Sequence, residues 1–126
     1  MKTPLLAALL LAAPLQAETI HPERAFVLNC HFTQSCISGG CGEEDYNVTL
    51  ETRGAEATFR DHRAKIALAG GVDPVSGQMS FASQPSDGSS YFFSDFGASG
   101  AVLSIHTQSE GQALVIAFEG RCEEVQ

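Results

Sequence analysis

Four cysteines carry most of the chemistry open to this chain: Cys30, Cys36, Cys41 and Cys122. Thiolates with the imidazole of His31 are the donor types of a zinc site. Zinc knuckles set paired ligands about two to four residues apart, and Cys30-x5-Cys36-x4-Cys41 comes close at one gap only. A redox dithiol calls for Cys-x-x-Cys, which does not occur, and for a helix N-terminus to lower the thiol pKa. In a short chain with an export signal, four cysteines point to two disulfides. Three pairings are possible. We favour Cys36–Cys41 with Cys30–Cys122, because the Gly39-Gly40 turn brings the first pair together locally. If the domain is fully oxidised, one bridge must in any case join the beginning to the end, since three clustered cysteines cannot pair among themselves. No metal and no cofactor are expected.

The remaining reactive residues form no pattern. His21, His31, His62 and His106 are scattered, and His31 and His106 fall at outward positions of strands, where a solvated histidine is ordinary. Serine is abundant, but no Gly-x-Ser-x-Gly elbow is present, and Gly88-Ser89-Ser90 and Ser99-Gly100 read as turn composition. Asp73, Asp87 and Asp95 lie in or beside expected loops without calcium-loop spacing. Arg60, Arg63 and Lys65 make a small basic spot at a strand end, and Asn47-Val48-Thr49 is a chance sequon match. No catalytic residues are assigned, and the chain is not expected to be an enzyme. The best candidate for a contact surface is Ser89, Ser90, Tyr91, Phe92, Phe93 and Phe96, where aromatics follow a polar loop.

The elements that position these residues begin after a targeting segment. Lys2, the apolar run Leu5 to Leu15 and the small residue Ala17 read as a signal peptide over residues 1–17. Its apolar core is too short to span a bilayer, which takes about 20 residues. Residues 18–126 are read as a single domain. The chain has 126 residues and a formal charge of −8, and loss of Lys2 leaves 6 basic residues against 15 acidic ones, a charge near −9. That acidity disfavours nucleic acid and anionic membranes as partners.

From residue 25 onward the apolar pattern has a period of two. Expected strands run over 25–32, 46–52, 55–60, 64–69, 78–83, 91–96, 101–107 and 113–122. Residues 34–45 are expected to form a disulfide loop, Gly70-Gly71 to stop a strand, and 84–90 to be an exposed, mobile loop. Seven or eight short strands about ten residues apart describe an all-β antiparallel meander. A bridge from first strand to last brings the sheet edges together, so a disulfide-tied closed barrel is favoured over a sandwich. Phe26, Phe32, Phe59, Phe81 and Phe118 all have inward parity, and the interior is expected to be filled by these side chains.

Cys30-x-Phe32-Thr33-x-x-Cys36 near the start and Phe118-x-Gly120-x-Cys122 near the end resemble a group of small exported bacterial proteins with no assigned activity. That resemblance implies an exported, disulfide-bonded β domain. A looser similarity is to the exported barrel proteins that inhibit C-type lysozyme, in which a serine-bearing loop resembles Gly88-Ser89-Ser90-Tyr91; this chain has no tryptophan and no lysine after Lys65. The expected function is a periplasmic or extracellular binding or envelope-accessory module with an unidentified protein partner. The alternatives are an inhibitor of a cationic cell-wall-active enzyme and a carrier of a small apolar ligand. A monomer without membrane insertion after signal cleavage is expected.

Overall fold

The computed structural model describes residues 24–126, so the signal-peptide reading of residues 1–17 and the position of His21 lie outside the described residues. The described residues form eight antiparallel strands: β1 (Ala25–Ile37), β2 (Gly40–Arg53), β3 (Glu56–Arg60), β4 (Lys65–Val72), β5 (Met79–Ser83), β6 (Ser90–Asp95), β7 (Ala101–Ser109) and β8 (Gln112–Val125). Each pairs with the next in sequence, and β8 returns to pair with β1, closing the barrel. Closure leaves β1 hydrogen-bonded on both edges, to β2 and to β8. A closed barrel has no free edge for a second chain to extend.

The turns follow from residue type. Ser38-Gly39, Asp87-Gly88 and Glu110-Gly111 each hold two consecutive residues at positive φ. Two-residue turns of that kind match the right-handed twist of the strands they join.

Two expectations about strand limits are corrected. Residues 34–45 are not a loop: β1 runs through Ile37 and β2 starts at Gly40, with Cys36 directly opposite Cys41. The disulfide closes the tip of a long hairpin. A bulge between Phe32 and Gln34 shifts the register against both neighbours, and this hid the continuous strand from a strict count of two. Nor do Gly70 and Gly71 stop β4, which continues to Val72. A Cβ on Gly70 would collide with the Ser80 carbonyl oxygen and Phe81 Cα, so glycine here permits a close strand crossing. Residues 84–88 are exposed as expected, and the loop contains a tight turn. Ser86 and Ser89 exchange backbone hydrogen bonds of 2.8 and 3.0 Å around the Asp87-Gly88 turn.

The core is the barrel interior. Leu28, Cys30, Phe32, Val48, Leu50, Phe59, Leu68, Phe81, Phe93 and Leu103 are buried there. Phe32, Tyr46 and Phe118 stack as a cluster, with Tyr46 and Phe118 ring centres 4.8 Å apart, and Tyr91 lies 5.5 Å from Phe59. Both disulfides form as Cys30–Cys122 and Cys36–Cys41, the former buried on Cys30 and spanning β1 to β8. Two structural disulfides belong to a non-reducing environment.

Candidate functional site

Alternation along β6 sorts the candidate contact residues onto two faces. Phe92 points outward and is 50% exposed, while Phe93 is fully buried at 0%. Phe93 is therefore removed from the contact surface: it is a core residue opposite Phe81 and Leu103. Tyr91 shares its inward parity and packs half-buried against Phe59. Ser89 and Ser90 are half-buried, and the Ser89 hydroxyl donates to Thr107 Oγ1 at 2.9 Å. Phe96 is 46% exposed, but four residues of extended chain set it roughly 13 Å beyond Phe92. The six residues are thus not one surface. Phe92 remains as the exposed aromatic of the sheet face and Phe96 belongs to a separate groove.

Around Phe92 the outer face is unusual for so acidic a chain. Cross-strand register places Ala82 and Ser104 on either side of Phe92, then Ala117 and Cys36 in the same row. Ser80, Ser94, Val102 and Val115 flank that row, and the Ser80 and Ser94 hydroxyls lie 2.8 Å apart. Val115 is half exposed. The outward residues of β5, β6 and β7 include no formal charge, and their only titratable group is His106. Glu119, beside Val102, begins the acidic margin.

A second concavity runs along the outer faces of β8, β1 and β2, about 1140 Å³ in volume, and takes in Phe96. Its walls include His31 and His62 and the charged residues Arg60, Asp61, Glu119 and Arg121. The bulged residue Thr33 and Gly120, which is paired with Phe32, both line this groove. Polar groups pair with one another locally: His31 Nε2 and Asp45 Oδ1 lie 2.8 Å apart, and Arg60 Nε donates to Glu51 Oε1 at 3.1 Å. Among the described residues no three of His, Cys, Asp and Glu come together as a metal site.

The third concavity is inside the barrel. The expectation of a filled interior holds for the middle and for the end bearing Tyr46 and Tyr91. At the opposite end a cavity of about 560 Å³ opens between Phe26, Leu28, Met79, Phe81 and Cys122. Asp95 also lines it and is only 6% exposed. Burial pushes the Asp95 carboxyl above its ordinary value, with the Gly97 N–H opposing in part. In sequence Asp95 lies near the end of the expected strand 91–96, beside a loop, and its parity with Tyr91 and Phe93 is the signal that it points inward.

Near the filled end, Tyr46 donates its hydroxyl to Asp61 Oδ2 at 2.5 Å, and Asp61 Oδ1 accepts from the N–H groups of Arg63 and Ala64. Burial and then Asp61 raise the Tyr46 phenol well above its ordinary value. The pair fastens the β3–β4 turn to β2 and so is architectural.

Compared with protein-family models, curated proteins and solved structures, the chain matches none.

Proposed function

We propose that this protein is an exported, non-enzymatic binding module that docks a cationic protein partner of the cell envelope through the outer face centred on Phe92. The observation that carries the reading is the uncharged row Ala82–Phe92–Ser104–Ala117–Cys36, with a half-exposed aromatic at its middle, on a strongly acidic domain. Exposed aromatics in an uncharged patch are characteristic hot-spot residues, and the surrounding acidity steers a basic partner toward it. Two disulfides and the apolar segment at residues 5–15 support export, with the periplasm or the extracellular space as the compartment. A barrel that is apolar inside and carries His31, Asn47, Glu51 and Arg121 on its outward positions is the reverse of a membrane-spanning one, which supports a water-soluble form. A cationic cell-wall-active enzyme, as the looser resemblance implies, is one form such a partner takes.

The test is photo-crosslinking from a probe at position 104, directly beside Phe92 in the same outer row, in the envelope fraction, with capture compared between Phe92, Phe92→Ser and Val75→Ser forms. Val75 is 94% exposed and lies in the β4–β5 loop, so its substitution controls for general loss of surface apolarity. Capture should fall with Phe92→Ser alone, weaken at high salt, and leave the melting temperature within a few degrees. Undiminished capture by Phe92→Ser defeats the proposal.

A further inference from the structure

A buried carboxylate needs a partner. Moving an ionised group out of water is expensive unless a counter-charge or several hydrogen bonds meet it. Asp95 meets only one: its Oδ1 accepts the Gly97 N–H at 2.9 Å, and no protein hydrogen bond to Oδ2 occurs among the described residues. No described ion pair involves Asp95. The nearest cation at the mouth, Arg24, is committed elsewhere: it pairs with Glu124 at 2.6 Å and lies over the Phe26 ring at 5.6 Å. The Arg24–Glu124 pair therefore forms a rim, and below it the cavity is apolar except for this one carboxyl and the Thr52 hydroxyl. The Thr52 hydroxyl already donates to the Phe26 carbonyl oxygen at 3.2 Å. A volume of about 560 Å³ is within the range of small-molecule sites, about 300–1,000 Å³.

We propose that this mouth of the barrel is a binding site for a small organic amine, with the apolar body held among Phe26, Leu28, Met79 and Phe81 and the ammonium group paired to Asp95. The amine supplies the counter-charge that the protein does not. A carboxylate ligand is repelled by the same group, and a neutral alcohol makes the apolar contacts without the charge-assisted hydrogen bond, which is about twice as strong as a neutral one. The raised proton affinity of the Asp95 carboxyl is the cost that such a cation relieves. This site is on the interior of the barrel and is independent of the Phe92 face on the outside.

The test uses three probes of one shape: 2-phenylethylamine, 2-phenylethanol and 3-phenylpropionate, titrated into the oxidised protein. Binding is read from the methyl signal of Met79, the chain's one methionine besides Met1, so the response also reports location. The amine should bind at least about tenfold more tightly than the alcohol, and the carboxylate not detectably. Asp95→Asn keeps an oxygen for the Gly97 N–H while losing the charge. It should remove the amine's advantage and leave the alcohol's affinity within about twofold, with the melting temperature held. Equal binding of amine and alcohol, no Met79 response to the amine, or an amine preference that survives in Asp95→Asn each overturns the proposal.

Discussion

Replacing the pair that closes the barrel, as Cys30→Ala/Cys122→Ala, removes a cross-link between residues 92 apart in sequence. In the loop-entropy treatment a bridge of that span stabilises the fold by about 4.6 kcal/mol, through restriction of the unfolded chain. The Cys36–Cys41 bridge closes a separation of 5 and is worth about 2 kcal/mol on the same basis. At about 4–8 °C per kcal/mol for a domain near this size, the long-bridge variant should melt roughly 20–35 °C lower, and the short-bridge variant roughly 8–16 °C lower. The native barrel should nonetheless persist at low temperature, because ten β1–β8 residue pairs remain in register. Guanidinium unfolding of wild type and both double variants, followed by circular dichroism with all native-state spectra compared, measures each term. The order of the two losses is the critical result. If Cys30→Ala/Cys122→Ala costs no more than Cys36→Ala/Cys41→Ala, loop span is not what makes the long bridge matter and the reasoning fails.

Three further outcomes test the packing. Gly70→Ala should destabilise by about 2–3 kcal/mol or prevent folding, since the added methyl meets backbone atoms of Ser80 and Phe81 that cannot rotate away; Gly71→Ala, with nothing within 4 Å of its new methyl, should change stability by less than about 0.5 kcal/mol in the same denaturant assay. Phe93→Ala should cost about 3–5 kcal/mol, and a small loss there would place Phe93 outside the core. Tyr46→Phe should cost about 1–2 kcal/mol at pH 7 by removing the hydrogen bond to Asp61. Burial alone would raise the Asp61 carboxyl, but the bonds from Tyr46, Arg63 and Ala64, with His62 beside it, outweigh that and hold it below its ordinary value. A depressed folded-state pKa adds stability above the unfolded value of about 3.9, and that stability is lost as pH falls through the folded value. The gap between wild type and Tyr46→Phe should accordingly narrow as pH falls below the unfolded carboxyl value of about 3.9 and through the lower folded value in pH-dependent unfolding; a gap constant with pH would show that ionised Asp61 is not the acceptor.

Much of the architecture was open to reading from residue type alone. Alternation over Phe26, Leu28, Cys30 and Phe32 assigns an inward face, because side chains of a strand alternate without exception until a bulge intervenes. The same rule fails at Thr33, where one extra residue reverses the parity, so the continuous hairpin around Cys36 and Cys41 looks like a loop in sequence. Paired glycines at 70 and 71 look like a stop in sequence. Their actual role, a close crossing with β5, depends on a strand ten residues away that no local pattern announces. The aromatic run Tyr91-Phe92-Phe93 was visible as a conflict with alternation, and the sheet resolves it by giving two rings to the interior and one to the outside.

Composition and cysteine placement by themselves determine an acidic domain of short strands with its first and last elements tied by sulfur, because those properties depend on residue identity and spacing along the chain. The cavity beside Asp95 and the uncharged row around Phe92 were decided only by closure. Each draws side chains from strands far apart in sequence, and only the register of eight paired strands brings Phe26, Met79, Asp95 and Cys122 to one end of the barrel, or Ala82, Phe92, Ser104 and Ala117 into one line.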